Sequence, residues 1–560
     1  YIGAYLPPDR LQALLLRFER MARTSPASLD ALAASHAALD AADESQSTIT
    51  RAPINLEAVL AADWDPRHGG LSGAQKFPEP ALLRWLLQSA DPATENAAAR
   101  ALASQLDGML AGGLFDPLQG GFFRYATASD WSRPHFEKML YTQALLIEAY
   151  ARAGVGFGRG DWLQVAIDSQ RFVDATLLDA ESGLYRAAVD ARHDGTEGGL
   201  YLIPADTAAR LAARSGLDSY GFDEGRALLR MGHLPPQAEA VRTALATLRA
   251  NATPPAPGFV DSKTLTAWNA LQARALLALV AAGEKRFAER ADAVLDRLWL
   301  RFDPDSGRLT RDVGDRAEAA LEDYAQLALA LLTSADHHWR ESSGAGEADS
   351  RRQAAMREGQ ALQLASAAMQ RYLPVKASTD ARWIALAEDG ELPSPGAALC
   401  ELSQDLLQRA YDETLERQTR ACLQALAQAR RDAGGTYWSS AALADAPSAR
   451  PRAVQHLAEG RIRATLSPRA DGVRLDIAPG WHVQANPVSD PRLKPTVLRS
   501  PDDGSALATH YPPALRLHTE WQDLALDVYT GTVELRLAEP AARMALELQA
   551  CSDQVCLLPE

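Results

Sequence analysis

Basic residues are in deficit. Lys and Arg number 57 against 72 Asp and Glu, leaving a formal net charge of −15. So acidic a chain does not neutralise a phosphate backbone, and no nucleic-acid partner is expected. Long apolar runs are missing too: nothing approaches the ~20 residues a bilayer demands. The greasiest stretch, Leu271 to Ala282, is interrupted by Gln272 and Arg274, so no membrane span is expected. No spaced cluster of metal ligands occurs. His337 and His338 are adjacent, which on a helix points them ~100° apart and away from a shared ion. No metal or other cofactor is therefore expected. Cysteine is scarce, with four in all. Cys400 and Cys422 fall in helical patterns and read as buried thiols. Cys551 and Cys556 lie five positions apart and belong together.

What is present is ordinary globular composition, 47% hydrophobic and 23% charged, in a chain too long for a single core. The chain opens at Tyr1 without Met, so its start is expected to lie inside a longer precursor. Residues 9–40 read as two short amphipathic helices, followed by a polar linker at Asp43 to Thr50. From Leu56 to Ala444 apolar residues recur at three- and four-residue spacings among good helix formers. Helices are expected over Pro80–Ala90, Ala97–Ala111, Lys138–Ala153, Leu163–Leu178, Lys263–Ala282, Ala317–Thr333, Gln353–Tyr372 and Ala398–Arg431.

A weak repeat overlies this pattern. Asp-x-x-x-Gly turns begin at Asp65, Asp116, Asp179 and Asp303, with an irregular copy at Asp432, and the two later gaps are about twice the first two. A pair of antiparallel helices with loops fills ~50–60 residues. Gly turns at that period fit a closed ring of helical hairpins, with an irregular solenoid as the alternative. Beyond Arg450 the period changes to two, in Arg461–Leu466, Val473–Ile477 and Val533–Leu537, as in a β-sandwich of ~100 residues. The boundary is expected near Pro447 to Val454. The fold expected is thus mainly α, a toroid over 51–448 followed by a small β-sandwich over 452–560.

Seven ordered blocks carry a resemblance: GGLSGAQKFPEP (69–80), GGLFDPLQGGFFRYATASDW (112–131), RPHFEKMLYTQALL (133–146), SGLYRAAVDARHDGTEGGLY (182–201), DSKTLTAWNAL (261–271), LEDYAQL (321–327) and DGELPSPGAAL (389–399). They resemble the YyaL/spermatogenesis-associated thioredoxin-like family. That resemblance implies an (α/α)6 toroid similar to N-acylglucosamine 2-epimerases, and makes residues 1–50 the remnant of a thioredoxin-like domain. The chain's end, with GWHVQANPVSD (480–490), YPPALRL (511–517) and LELQACSDQVCLLPE (546–560), resembles the periplasmic N-terminal domain of the disulfide reductase DsbD. That likeness implies an immunoglobulin-like sandwich whose Cys551 and Cys556 pass electrons to a thiol-disulfide partner protein.

The toroid's polar candidates cluster after the Gly turns. Histidine is the side chain that titrates near neutrality without help, and His135 has the carboxylate Glu137 two positions on, a pairing suited to proton abstraction. Asp190, Asp261 and Asp323 are further catalytic candidates. Trp131, Glu197, Lys263, Trp268, Asn269 and Tyr324 are candidates for binding a carbohydrate ligand, the aromatics by stacking. Each also fits a plainer role, since Asp commonly caps helices and ties loops. Several positions depart from the family pattern: Thr142 for an acidic residue, Ser262 for the second Asp of a DDK motif, Val189 to Arg192 for DADS, and Ala270 for Gly. A pocket losing carboxylates loses proton-transfer groups. Asp553 between the last two cysteines raises a thiolate's pKa rather than lowering it, and a persistent disulfide suits an oxidising compartment, the periplasm. The main functional expectation is a periplasmic thiol-disulfide exchange or redox-relay protein whose barrel is a binding platform. The alternative is a carbohydrate epimerase or isomerase acting through His135 and a carboxylate; a third is a purely structural role.

Overall fold

The computed structural model describes residues 56–215, 217–232, 258–312, 314, 317–341, 347–373, 381–409, 412–432, 436–444, 454–458, 460–467, 471–501, 503–518, 525–541, 544–552, 555–557 and 559. The expected thioredoxin remnant over 1–50, all but the last residue of the domain boundary at 447–454 and most of the fifth Gly turn lie outside them.

Helices dominate as far as Ala444. They are α1 (Leu56–Ala62), α2 (Pro80–Ser89), α3 (Ala97–Gly112), α4 (Leu140–Gly156), α5 (Gly160–Thr176), α6 (Ala205–Ser215), α7 (Thr266–Ala281), α8 (Ala288–Trp299), α9 (Leu321–Glu341), α10 (Glu347–Tyr372), α11 (Ala381–Ala387), α12 (Pro395–Arg409), α13 (Glu413–Asp432) and α14 (Trp438–Ala444). Helix α2 packs on α4, α4 on α7, α7 on α9, α9 on α12, α12 on α14, and α14 back on α2. That circuit closes a ring of six inner helices. Helices α3, α5, α8 and α10 pack outside it against their neighbours in the chain.

Burial follows that division. In α7 every residue from Thr266 to Val280 except Trp268 is buried, as expected of a helix packed on all sides, and its polar Asn269, Gln272 and Arg274 bond to other groups inside the ring. Outer α8 buries only Ala291, Val294, Leu295 and Leu298, the one-sided stripe of a surface helix. The single helix expected over Ala398–Arg431 is two, because Asp412 accepts the Leu415 amide at 2.7 Å and caps α13. Cys400 on α12 and Cys422 on α13 are joined in a disulfide, not left as thiols.

Each Gly turn delivers the chain from an outer helix to the start of an inner one. Asp65 Oδ1 accepts the amides of Arg67 and His68, and Asp116 Oδ1 those of Leu118 and Gln119, which is the Asx-turn chemistry that selects Asp. Gly69 and Gly120 adopt φ of +71° and +83°, and a Cβ on either would lie 2.3–2.4 Å from a neighbouring carbonyl oxygen. Only glycine fits there.

From the fourth residue of an inner helix a side chain then clamps the turn. Gln143 accepts from the Phe122 amide at 2.8 Å and donates to its carbonyl at 2.6 Å. Asn269 does the same to Tyr185 at 2.7 and 2.9 Å. Tyr324 accepts from the Leu309 amide at 2.9 Å and donates to the Gly307 carbonyl at 3.1 Å. The repeat is therefore physical: turn, inner helix, clamp. It also brings the N-termini of the inner helices to one rim.

The C-terminal region is built of antiparallel strands. One sheet runs in the order 454–457, 462–466, 472–477, 532–537, 509–510, and a second in the order 515–517, 526–529, 481–484, 550–552. Ile462, Leu475 and Leu535 of the first share one core with Val483, Tyr529 and Ala550 of the second. The region docks on the end of α9 and the start of α10: Arg463 lies over the Trp339 ring at 3.1 Å, Arg474 donates to the Trp339 carbonyl at 2.9 Å, and Arg351 pairs with Asp476 at 3.2 Å.

Candidate functional site

At the rim formed by the inner-helix N-termini lies a cavity of ≈ 220 Å³ walled by Phe77, Glu79, Arg124, Tyr141, Asp389 and Glu391, among others. Its walls come from the segments leading into α2, α4, α12 and α14 and from the first turn of α4. Arg124 makes a two-pronged ion pair with Glu391, Nε to Oε2 at 2.8 Å and Nη2 to Oε1 at 2.6 Å, and reaches Glu137 at 2.9 Å through Nη1. Tyr141, second residue of α4, donates its hydroxyl to Glu391. Burial works against the Glu391 charge, but the bonds from Arg124 and Tyr141 outweigh it and hold its carboxyl below the ordinary value. Burial, then the Glu391 contact, push the Tyr141 phenol far above its ordinary value, so it remains a donor at any physiological pH.

Glu79 is poised differently. Burial and the neighbouring Asp389 carboxylate push it up to about 7. It stands between Pro78 and Pro80 with φ +47°, ψ +62°, a left-handed conformation rare outside glycine. Pro80 behind it disfavours the right-handed helical region. Asp389, also raised by burial, is committed to structure: it accepts the Ser394 and Ser439 amides at 2.7 Å each, fixing the starts of α12 and α14.

Beneath the rim the ring is filled. Arg84 pairs with Glu401, and Arg274 reaches Glu148 at 3.3 Å and Gln326 at 3.2 Å. Burial raises the Glu148 carboxyl, but Arg274, Arg152 and Arg84 bring it down to about 2. These side chains come from α2, α4, α7, α9 and α12 and fill the interior of the ring.

The structure places the residues singled out from sequence in three groups. His135 stands at the rim with Nδ1 3.2 Å from Glu197 and Nε2 3.7 Å from Glu137, its ring 5.1 Å from Tyr125. Phe77 stacks on the other side of Tyr125 at 4.7 Å, so His135 and the Phe77–Glu79 segment belong to one wall. Trp268 meets Tyr141 edge-on at 4.9 Å.

A second group lies on the periphery. The strand Val260–Asp261 pairs with Ala188–Val189, which pairs with Lys138–Met139. Asp261 binds Lys263 at 2.9 Å, and Asp190 caps the Arg192 amide at 2.7 Å.

A third group is turned inward. Trp131 is fully buried and donates Nε1–H to the His68 carbonyl at 3.0 Å, leaving no face to stack on a ligand. Asn269 and Tyr324 are spent on the turn clamps. Asp323 is buried with one oxygen on the Ala267 amide and the other on the Ala320 amide, both at 2.9 Å, so it caps two inner helices. Glu79, Arg124, Tyr141 and Glu391 were not among the candidates, though all four fall inside the blocks that carried the resemblance.

With that geometry in view the comparisons can be placed. No family model matches the chain. It is similar to spermatogenesis-associated protein 20 of Mus musculus, 36% identical over 132 residues, which is 23% of this chain and 17% of that protein. The Rattus norvegicus protein of the same name is 28% identical over 336 residues, 49% of this chain and 42% of that protein. The chain thus spans less than half the length of these relatives. Among solved structures, cellobiose 2-epimerase from Spirochaeta thermophila DSM 6192 superposes with a TM-score of 0.42 at 14% identity, covering 66% of this chain and 80% of that one. A D-mannose isomerase gives 0.40 at 12%, covering 68% and 83%. The ring stands on its own helix contacts. Among the described residues no helix is long and apolar enough to cross a membrane, and no group of three or more ligating side chains could hold a metal ion.

Proposed function

We propose that the toroid is a carbohydrate epimerase or isomerase whose substrate enters the rim cavity, with Glu79 moving the proton. The observation that carries this reading is the convergence, on one ≈ 220 Å³ space, of a carboxyl near pKa 7 with an ionised carboxylate, a guanidinium and a phenol. A general acid–base works best when its pKa lies near the working pH. The fixed groups around it are of the kind that orient hydroxyls. Phe77 and Tyr141 supply ring faces of the kind that pack against a sugar. In this reading Glu79 takes the proton-transfer role, and His135, with Nδ1 3.2 Å from Glu197, holds Glu197 and its hairpin at the rim.

The test is deuterium uptake. D-glucose, D-mannose, N-acetylglucosamine and cellobiose would each be incubated with the protein in D₂O and the proton at C2 followed by NMR. Exchange with at least one sugar, lost in Glu79→Gln, is expected. Absence of exchange with all four, together with no heat of binding by calorimetry, would sink the reading.

A second reading concerns the strand region as an immunoglobulin-like, DsbD-like module in the periplasm. What favours it is the Cys551–Cys556 disulfide on the edge strand 550–552, with Cys551 buried and Cys556 part-exposed. All four cysteines are paired, as suits an oxidising compartment. Attack by a partner thiolate would fall on Cys556, breaking the S–S bond, forming a mixed disulfide and releasing Cys551 as thiolate. A thioredoxin-like partner lacking its resolving cysteine should trap that mixed disulfide; failure to trap it would end this reading.

A further inference from the structure

A proton must leave one face of a sugar carbon and return to the other if configuration is to invert, so one carboxyl in the cavity is half of a mechanism. The ring itself points to the other half. Tyr141 occupies the second position of inner helix α4, two residues before its clamp Gln143, and from there it reaches the cavity while Gln143 turns away to the loop behind. Two residues along a helix are ~200° apart, which is why clamp and cavity residue face opposite ways. Helix α9 repeats this register: its clamp is Tyr324, and the residue two before it is Glu322.

Glu322 makes none of the capping bonds at the start of α9. Its neighbour Asp323 makes the capping bonds, to Ala267 and Ala320, whereas the buried Glu322 Oε1 has no hydrogen-bond partner among the described residues. Buried polar atoms are normally satisfied, and an exception calls for a reason. A second exception stands next to it. Trp268 Nε1 is buried and unpartnered, and Trp268 and Glu322 flank the Ala267–Asp323 bond that ties α7 to α9. The Trp268 ring meets the Tyr141 ring of the cavity wall at 4.9 Å. Beyond Tyr141, neighbouring inner helices α7 and α9 thus each carry a buried, unpartnered polar atom, a donor on one and an acceptor on the other.

Around the ring the order is α2, α4, α7, α9, α12, α14, so α9, which carries Glu322, stands opposite α2, which Glu79 precedes. With neighbouring helix axes about 8–10 Å apart, opposite axes in a six-membered ring lie about 16–20 Å apart, and the Arg124–Glu391 pair crosses between α2 and α9 at the rim. Resting on the proposed epimerase reading, we infer that Glu322 is the second proton-transfer group, acting on the face of the sugar opposite Glu79, and that the Trp268 indole N–H holds a hydroxyl or the carbonyl oxygen beside it.

The step balances without a further reactant. With the sugar open-chain, ionised Glu79 takes the proton from the carbon next to the carbonyl, and the C–H pair moves into an enediolate. Protonated Glu322 delivers its proton to that carbon from the other side, forming the new C–H bond. One carboxyl ends protonated and the other ionised, so the site's charge is unchanged, and the return reaction uses the same pair with roles exchanged. Burial and the adjacent Asp323 push Glu322 up to about 7, the value Glu79 also takes, so both mixed protonation states are populated at neutral pH.

The deciding experiment uses the full chain in D₂O with whichever of the four sugars the wild-type protein exchanges. In Glu322→Gln, formation of the epimer is expected to fall at least about 100-fold, while Glu79 continues to exchange the C2 proton of one epimer without inversion. Trp268→Phe should lower affinity for the sugar while leaving the Glu322-dependent split between exchange and inversion intact. Circular dichroism and melting curves establish that both variants fold, and Glu322→Asp provides partial rescue of inversion if the carboxyl is what matters. Inversion at the wild-type rate in Glu322→Gln overturns the inference and leaves the epimerase reading standing. Loss of exchange and inversion together in that variant, with the fold intact, likewise overturns the division of labour. Inactivity of the wild-type protein toward every sugar removes the epimerase reading and this one with it.

Discussion

Arg124 and Glu391 stand 267 residues apart in the chain and meet in a two-pronged ion pair of 2.8 and 2.6 Å. The pair joins the loop that leads into α4 to the loop that leads into α12. It thus fastens opposite arms of the ring across the rim, and it also builds the cavity wall, so stability and site geometry are coupled at one contact.

Arg124→Ala should therefore cost stability as well as any activity. A hydrogen bond to a charged group contributes about 1.5–3 kcal/mol, and both side chains are about a third exposed, which favours the lower end. Urea unfolding is expected to show a loss of about 1–3 kcal/mol. Arg124→Lys should recover little of it, because an ammonium cannot reproduce the fork that grips both Glu391 oxygens. Equal stability of wild type and Arg124→Ala would show that the fastening is weak.

The raised carboxyls give a pH signature with a definite sign. Glu79 and Glu322 each sit at about 7 in the folded protein against a reference of 4.5. Below pH 4.5 both states are protonated and nothing is lost. As pH rises from about 4.5 to 7 the unfolded chain releases protons that the folded chain retains, so stability declines through that window and levels off above it. Each group accounts for up to about 3 kcal/mol at 1.36 kcal/mol per unit. Glu79→Gln should melt higher than wild type at pH 8 and about the same at pH 4. A difference that is larger at pH 4 would contradict the assignment.

Much of the ring was legible in the sequence because its signals are local. Asp and Gly at fixed offsets specify a turn through the bonds Asp makes to the next amides and the positive φ that Gly adopts, and neither depends on distant residues. The site was less legible because it is assembled by closure. Nothing in Glu79, Arg124 or Glu391 taken separately reveals that the loops carrying them meet at one rim, although each lies in a block that carried the family resemblance. Trp131, Asn269 and Tyr324 show the converse. An aromatic or an amide after a Gly turn looks the same in sequence whether it faces the cavity or clamps the loop, and here packing turns all three inward. Cys400 and Cys422 read as thiols because Ala398 to Arg431 reads as one helix, in which they could not meet; the break capped by Asp412 folds them together.

The clamps can be tested without reference to any substrate. Asn269→Ala removes both partners of the buried Tyr185 amide and carbonyl, and each unsatisfied buried group costs about 1–3 kcal/mol. A loss of about 2–5 kcal/mol is expected by chemical denaturation. Asp190→Ala, which removes one bond from an exposed turn, should fall within about 0.5 kcal/mol of wild type. If the two variants were equally stable, the clamp would be no more than a passive contact.

The two disulfides should separate under graded reduction. Cys400 and Cys422 are fully buried between α12 and α13, so a reductant reaches their sulfurs only when the helices part. Cys556 is part-exposed on an edge of the strand region, and exchange requires access to a sulfur. Alkylation after brief, mild reduction, read by mass spectrometry, is expected to label Cys551 and Cys556 first and Cys400 and Cys422 only under denaturing conditions. The stability consequences should run the other way. Closing the 22-residue separation between Cys400 and Cys422 restricts the unfolded chain more than closing five residues does, and Cys400→Ser with Cys422→Ser should cost about 2–4 kcal/mol. Labelling of the helical pair before the strand pair would mean that α13 parts from the ring more readily than its burial implies.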